Sequence, residues 1–86
     1  MPWKVTVAKP ALRALSRTQD SERRRIQAAL ASIEIAPFSG DLKHLSNDPR
    51  GAYRRRVGSW RIFFDVDTQD GFVYVTAIER RTSTTY

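Results

Sequence analysis

An α+β fold, in which two helices cover one face of a small antiparallel-type β-sheet, is predicted by three observations. Residues 3–7 alternate in polarity as a strand does, two helical patterns follow before Pro37, and three strand patterns separated by turn signals occupy residues 53–80. The predicted order is therefore β-α-α-β-β-β. Two helices on one face of a sheet make a stable two-layer arrangement and leave the other face open to solvent.

The two helices are indicated by residues that favour helix ends and by the spacing of their apolar residues. Pro10 suits the first turn of a helix, where its missing N–H is not needed, and Leu12 and Leu15 give that helix an apolar stripe. Three residues are candidate N-caps of the second helix: Thr18, Asp20 and Ser21. Its buried face is predicted from four residues at the i, i+3, i+4, i+7 spacing: Ile26, Ala29, Leu30 and Ile33.

The second half of the chain reads as a loop followed by three strands. Residues 38–52 contain Pro49 and Gly51, which favour turns, and are predicted to be a loop. A strand over 53–57 turns at Gly58-Ser59 into a strand over 60–67, and Asp70-Gly71 leads into a strand over 72–80.

Length and composition limit the class of protein. A chain of 86 residues is predicted to be one domain, spanning 1–86, and 41% hydrophobic residues are too many for a disordered chain. The chain has no cysteine, which excludes disulfides and thiolate metal sites. No apolar run reaches membrane-spanning length and the first residues do not resemble a signal peptide, so we expect a cytoplasmic protein.

The charge of the chain is strongly positive and locally clustered. The net charge is +6, and the stretch RGAYRRRVGSWR contains five arginines with no acidic residue between Asp48 and Asp65. Like charges placed opposite each other weaken a sheet, so a negatively charged partner is expected to compensate.

Strand alternation predicts where these arginines point. Trp60, Ile62, Phe64 and Val66 share the face expected to meet the helices, which leaves Arg61, Phe63 and Asp65 on the open face. Tyr53 and Val57 of the preceding strand are apolar enough for the core, so Arg54 and Arg56 point outward. The sequence therefore predicts three arginines beside an exposed aromatic residue on the open face.

Two positions do not fit this alternation. Arg55 has the parity of the core, and three explanations stay open: its side chain extends past the sheet edge, pairs with Glu34 or Asp41, or marks a bulge. In the last strand, Val73, Val75 and Ala77 look internal, which would leave Ile78 exposed. A bulge near the end of that strand would explain the exception.

The chain resembles the RelE/ParE superfamily of toxins from bacterial toxin–antitoxin systems. The resemblance is carried by LKHLSNDPRGAYRRRVGSWRIFFDV and by the closing VTAIERRTSTTY, and it covers nearly the whole chain. It implies mRNA cleavage without metal or cofactor, either dependent on the ribosome or free of it. We expect a RelE-like rather than a ParE-like protein, an endoribonuclease that acts at the ribosome and is neutralised by an antitoxin protein.

The resemblance also implies roles for individual residues. The catalytic set falls on Arg54, Arg56, Arg61, Arg80 and Tyr86, with Arg81 as the rival register for Arg80. Three residues are expected to contact RNA: Arg55, Phe63 and Arg81. Phe63 or Tyr74 would stack on a base. The 2′-hydroxyl would attack the adjacent phosphate, and arginines would stabilise the developing charge. Tyr86 would act as the base if nearby arginines lowered its pKa.

The sequence departs from the family pattern at Glu79, where many relatives have histidine, and in the hairpin, where arginine replaces lysine. Arginine does not give up its proton, so neither Arg54 nor Arg56 is expected to be a base. Two alternative functions stay open: a ParE-like DNA gyrase poison, and a non-catalytic module that binds nucleic acid or protein.

Other residues have plainer interpretations. Tyr86 is equally well explained as a frayed tail residue. Arg23, Arg24 and Arg25 are expected to be solvated on the second helix, and Trp3 and Trp60 to be part of the core. His44 lies on the predicted loop, and no catalytic role is expected for it.

Overall fold

The computed structural model of the chain describes residues 3–81, and it places two helices on one face of a five-stranded sheet. The elements are β1 (Lys4–Val7), α1 (Lys9–Ser16), α2 (Asp20–Ile35), β2 (Leu42–His44), β3 (Tyr53–Val57), β4 (Trp60–Asp67) and β5 (Phe72–Arg80). The predicted α+β fold is confirmed. We call the covered face of the sheet the helix side and the opposite one the open face. Neither helix has the length and hydropathy to cross a membrane.

The sheet is mixed rather than wholly antiparallel. Its strand order is β1-β5-β4-β3-β2, and the pairs from β5 to β2 are antiparallel. β1 pairs with β5 in parallel, with Val5 opposite Val73. Parallel neighbours need a long crossover connection, and here both helices lie between β1 and the remaining strands.

A short strand, β2, lies in the segment that was predicted to be a loop. Leu42 packs against the core, while Lys43 pairs with Arg54. The Arg56 N–H donates to the Asp41 carbonyl at 3.0 Å, and the Leu45 N–H donates to the Ala52 carbonyl at 2.7 Å, which extends the pairing. Three residues are too few for a visible alternation, so pairing with β3 determines this strand.

The core lies between the helices and the sheet, as the apolar spacing predicted. Its buried residues are Ala11, Ile26, Ala29, Ile33, Ile62, Phe64, Val73, Val75 and Ile78. Trp3, Leu30 and Trp60 pack against it, and the Trp60 Nε1–H also donates to Glu22 Oε2 at 2.7 Å. The prediction for Leu12 was wrong: it is half exposed, and Ala11 takes the buried position on α1.

The junction between the helices differs from the sequence prediction. Gln19 is the N-cap of α2, and it makes no capping hydrogen bond through its side chain. Thr18 is buried instead, and its hydroxyl donates to the Leu15 carbonyl at 2.7 Å. Arg23 is not simply solvated, because its guanidinium donates to the carbonyls of Leu15, Ser16 and Thr18. It therefore satisfies carbonyls at the end of α1.

A bulge in β5 reverses the alternation of that strand. Phe64 pairs with Val75 and Phe63 with Ala77, so Thr76 is the extra residue. After the bulge, Ile78 lies in the core opposite Ile62, which confirms the irregularity expected there. The same reversal governs which charged residues at the end of β5 reach the open face.

Replacing Gly51 with alanine is expected to destabilise the fold by about 1–3 kcal/mol. Gly51 has a φ of 152°, and a Cβ there would lie 3.1 Å from the backbone N and O of Phe64. Gly71→Ala is the matched control, because its φ is 73° but its Cβ would meet nothing within 4 Å. Chemical denaturation should show the larger loss for Gly51→Ala. Equal losses would mean that only backbone strain matters.

Candidate nucleic-acid interface

Five arginines gather on one part of the open face. Arg56 of β3 lies directly opposite Arg61 of β4, and Arg54 lies opposite Phe63, so the predicted placement of the three arginines is confirmed. The arginine cluster is Arg50, Arg54, Arg56, Arg61 and Arg81. Lys43 of β2 extends the positive surface, because it pairs with Arg54 and so shares its face.

The inner part of the arginine cluster has hydrogen-bond donors without acceptors. The Nε atoms of Arg54, Arg56 and Arg61 are buried, and within residues 3–81 none of them has a partner. Leaving a buried donor unpaired costs free energy, and more so when the group is charged. None of the three guanidiniums forms an ion pair within residues 3–81, so an anion bound on the open face would be their charge partner.

The field at Arg61 is strongly positive. Burial lowers the pKa of Arg61, and the neighbouring charges of Arg81, Arg54, Arg56 and Arg50 lower it further. Each of these effects disfavours the charged form of the guanidinium. A phosphate bound beside Arg61 would reduce this repulsion.

Arg50 is fixed more firmly than the other members of the arginine cluster. Its Nε and Nη2 donate to the two carboxylate oxygens of Asp48 at 3.0 and 2.8 Å, and its Nη1 donates to Glu79 Oε1 at 2.9 Å. Hydrogen bonds to Asp48 and Glu79 raise the pKa of Arg50. Its guanidinium carbon lies 4.1 Å from the ring centroid of Phe63.

The expectation of an exposed Phe63 was wrong. The residue is on the open face, as strand alternation predicted, but only 1% of its surface is exposed. Arg50, which precedes β3, lies over the ring in a cation–π arrangement. Phe63 therefore supports the arginine cluster from below and is not available to stack on a base.

Arg55 lies on the helix side, where its core parity indicated, and not with the arginine cluster. Its Nη1 donates to Ser32 Oγ of α2 at 3.1 Å, and its guanidinium lies beside Gly40. Neither of the acids considered as partners, Glu34 and Asp41, forms an ion pair with it. The expectation that Arg55 contacts RNA together with Arg54 and Arg56 is therefore corrected, because its side chain lies on the opposite face of the sheet from theirs.

The bulge at Thr76 decides between the two closing arginines. Arg80 lies opposite Trp60, whose side chain is on the helix side, whereas Glu79 lies opposite Arg61 on the open face. Arg81 continues the ladder through its N–H, which donates to the Ser59 carbonyl at 2.6 Å, and its charge acts on Arg61. Arg81, the rival register, thus joins the arginine cluster in place of Arg80. Tyr86 lies outside the described residues.

Asp65 and Tyr74 border the site on the open face, whereas His44 does not. Asp65 is on the open face, and its Oδ1 accepts a hydrogen bond from the Ala52 N–H at 2.8 Å. Tyr74 lies opposite Asp65 with 42% of its surface exposed, and it stacks on Phe72. His44 lies opposite Tyr53 on the helix side, away from the arginine cluster. Across residues 3–81, no three histidine or acidic side chains gather as metal ligands would.

Comparison with solved structures gives one consistent fold. The chain is similar to a RelE–RelB complex from the archaeon Pyrococcus horikoshii OT3, with a TM-score of 0.82, 22% identity, and coverage of 98% of this chain and 100% of that one. It is similar to the isolated RelE toxin of E. coli, with a TM-score of 0.78, 15% identity, and coverage of 95% and 87%. This chain has the RelE fold.

A third structure with the RelE fold, the RelBE2 toxin–antitoxin complex of Mycobacterium tuberculosis, is similar with a TM-score of 0.72 at 23% identity, covering 94% of this chain and 100% of that one. No family model matches the sequence, and no curated protein matches it significantly. The RelE fold is therefore recognised here through structure.

Sequence reasoning missed two residues of this site on the RelE fold, Arg50 and Glu79. Arg50 was counted among the clustered arginines but was given no role, and Glu79 was noted only as a departure from histidine. The Asp48-Pro49-Arg50 spacing was a signal for the first, because a carboxylate two residues before an arginine can pair with it in a turn. The Arg50–Glu79 ion pair joins residues 29 positions apart, which no local pattern reveals.

The ion pair of Asp48 should make stability depend on pH in the acidic range. Hydrogen bonds from the Arg50 side chain and backbone lower the pKa of Asp48 from 3.8 to about 2. A lowered folded-state pKa stabilises the fold above the unfolded pKa, and this contribution is lost as the pH falls from about 4 to about 2. The difference in melting temperature between wild type and Asp48→Asn should therefore shrink over that range.

Asp70→Asn is the control for this measurement, because Asp70 is exposed and forms no ion pair with any described residue. Its difference from wild type should show a smaller dependence on pH. A difference for Asp48→Asn that stays constant down to about pH 2 would contradict the proposed pairing with Arg50.

Proposed function

We propose that the chain is the toxin of a toxin–antitoxin pair and that it cleaves mRNA at the ribosome as an endoribonuclease. The observation that carries the proposal is the arginine cluster, in which Arg54, Arg56 and Arg61 share the open face and form no ion pair among the described residues. The RelE fold supports the same function, because solved structures with this fold include RelE toxins.

The chemistry of RNA cleavage suits this arrangement. When the 2′-hydroxyl attacks the adjacent phosphate, negative charge develops on the phosphate oxygens in the transition state. Fixed guanidinium groups stabilise that charge because they need little reorganisation. We assign Arg54, Arg56 and Arg61 to this role, since they share the open face and form no ion pair within residues 3–81.

The closing arginine is assigned to Arg81 rather than to Arg80. Because of the bulge at Thr76, the alternation of β5 assigns Arg81 to the open face. The charge of Arg81 also acts on Arg61. Arg80 lies opposite Trp60 and is directed to the other side of the sheet. Tyr86, the remaining residue of the expected catalytic set, stays a proposal that rests on the resemblance alone.

RNA beyond the cleaved phosphate has an aromatic surface available on the same face. Tyr74 is exposed and stacked on Phe72, and its partner Asp65 lies four residues along β4 from Arg61. At the rise of a strand this is about 13 Å. We propose that Tyr74, rather than the buried Phe63, stacks on a base of the bound RNA.

We further propose that an antitoxin covers this surface. Two of the similar structures are complexes of RelE with RelB. An acidic or amphipathic segment suits the arginine cluster, because charge complementarity speeds and orients association. A pull-down of the tagged chain with the co-expressed product of the neighbouring gene tests this partner, and recovery of the chain alone would contradict it.

The activity is tested by adding the purified chain to a cell-free translation reaction. Protein output should fall while the reporter mRNA becomes shorter, and parallel reactions with naked mRNA show whether ribosomes are needed. A gyrase reaction on plasmid DNA runs beside them. Intact mRNA together with DNA cleavage by gyrase would replace this proposal with a gyrase poison, and salt-sensitive RNA binding without product would indicate a binding module.

A further inference from the structure

Glu79 is an acidic side chain placed within the field of the arginine cluster. It lies opposite Arg61 in the pairing of β4 with β5, because the bulge at Thr76 shifts the alternation of β5 by one residue. Its side chain is 45% exposed, so a ligand on the open face can reach it. Its ion pair is with Arg50 before β3, and Arg61 on β4 lies opposite it; Arg54, Arg56 and Arg81 are the further charges that act on Arg61.

The carboxylate of Glu79 is oriented by one hydrogen bond and keeps one oxygen free. Arg50 Nη1 donates to Oε1 at 2.9 Å, and Arg50 is itself held by Asp48 and by the ring of Phe63. Oε2 accepts no hydrogen bond from any residue in the range 3–81. A carboxylate held in this way has one oxygen fixed and the other available to take a proton, as a general base requires.

Other groups that accept protons are less well placed. Both oxygens of Asp48 are occupied by Arg50. Asp65 is about 13 Å from Arg61 along β4, and its Oδ1 is bonded to the Ala52 N–H. His44 is on the helix side with Tyr53. Among the described residues, Glu79 is therefore the carboxylate that combines a free oxygen with direct proximity to Arg61.

We propose that Glu79 is the general base of RNA cleavage, an inference that rests on the proposed function. Oε2 takes the proton of the 2′-hydroxyl while the 2′-oxygen forms a bond to the adjacent phosphorus. The bond from phosphorus to the 5′-oxygen breaks, and that oxygen takes a proton from water. The resulting hydroxide is neutralised by the proton on Glu79. The products are a 2′,3′-cyclic phosphate and a 5′-hydroxyl end.

The test is a pH–rate profile of single-turnover cleavage on programmed ribosomes, with wild type, Glu79→Gln and Glu79→His. Glu79→Gln should slow cleavage by about 10²–10⁴-fold and should lose the acid limb of the profile. Glu79→His should recover part of the rate with its acid limb moved to higher pH, because the ordinary pKa of imidazole is about two units above that of a carboxyl group. If Glu79 only held Arg50 in place, the acid limb of the Glu79→His profile would stay at the pH of the wild-type limb.

RNA binding is measured on the same variants. An uncleavable RNA with deoxyribose at the cleavage position should bind Glu79→Gln as tightly as wild type, because the glutamine oxygen still accepts from Arg50. Glu34→Gln is the matched control: Glu34 is an exposed glutamate on α2, and its variant should cleave as wild type does. Equal binding with slower cleavage places the effect of Glu79→Gln in the chemical step.

The failure of this proposal can be distinguished from the failure of the proposed function. If wild type cleaves RNA and Glu79→Gln retains its rate and its acid limb, Glu79 is not the base and the proposed function stands. An unmoved acid limb in Glu79→His has the same meaning, as does an acid limb that disappears only in Tyr86→Phe. If wild type does not cleave RNA, the proposed function and this inference are both removed.

Discussion

Arg61→Ala is expected to lower the rate of mRNA cleavage by about 10²–10³-fold, the usual effect of removing one fixed donor from a developing oxyanion. Arg61 lies among the positive charges of the other four members of the arginine cluster and forms no ion pair in residues 3–81. Its loss removes donors that a bound phosphate would use. The measurement is single-turnover cleavage of a reporter mRNA in a translation extract.

Two further variants define what Arg61 contributes. Arg24→Ala removes the same charge from an exposed position on α2, so it should leave the rate within a fewfold of wild type. Arg61→Lys keeps the charge but loses the planar fork of the guanidinium, and it should fall between the two. A rate for Arg61→Ala equal to that of Arg24→Ala would contradict a role for Arg61 in catalysis.

Phe64→Ala is expected to lower the free energy of unfolding by about 3–5 kcal/mol, the range for removing a buried phenylalanine side chain. Phe64 is fully buried in the core and stacks on Tyr53, with 5.7 Å between the ring centroids. A domain of this size has a total stability of about 4–13 kcal/mol, so this loss is a large part of the total. Chemical denaturation followed by fluorescence measures the loss.

The milder Phe64→Leu variant keeps the measurement informative if Phe64→Ala does not fold. It should cost about 1–3 kcal/mol, because most of the volume is retained. Leu12→Ala is the control on α1: Leu12 is half exposed, so its loss should cost under about 1 kcal/mol. A cost for Phe64→Ala no larger than that for Leu12→Ala would contradict the position of the core.

The elements with strong periodic patterns were predictable from the sequence. The alternation of β4 correctly placed Ile62 and Phe64 in the core, and Gly58-Ser59 correctly marked the hairpin turn. β2 was not predictable because its three residues are too short to show a period. Its formation depends on pairing with β3, which is a tertiary interaction.

The site was predictable as far as strand parity and no further. Arg54, Arg56 and Arg61 follow from alternation along regular strands, and the structure places all three together. The choice of Arg81 over Arg80 depends on the exact position of the bulge, which the sequence indicated only near the end of β5. Glu79 reaches the open face through the same shift.

The other limit of prediction from sequence was that residues distant in the chain decide which side chains on the sheet are covered. Phe63 has the right parity for an exposed aromatic residue, but Arg50 lies over its ring from a separate loop. Arg55 has the parity of the core and reaches Ser32, a contact across 23 positions. Neither contact has a local signature, because each depends on how the chain returns over the sheet.

The central claim is that the arginine cluster on the open face cleaves RNA, and the most direct test is to map the ends of a reporter mRNA after translation with the purified chain. We expect new 5′-hydroxyl ends and 2′,3′-cyclic phosphates within codons, and their absence when Arg61 is replaced by alanine. Intact mRNA with normal protein output from the wild-type chain would contradict the claim.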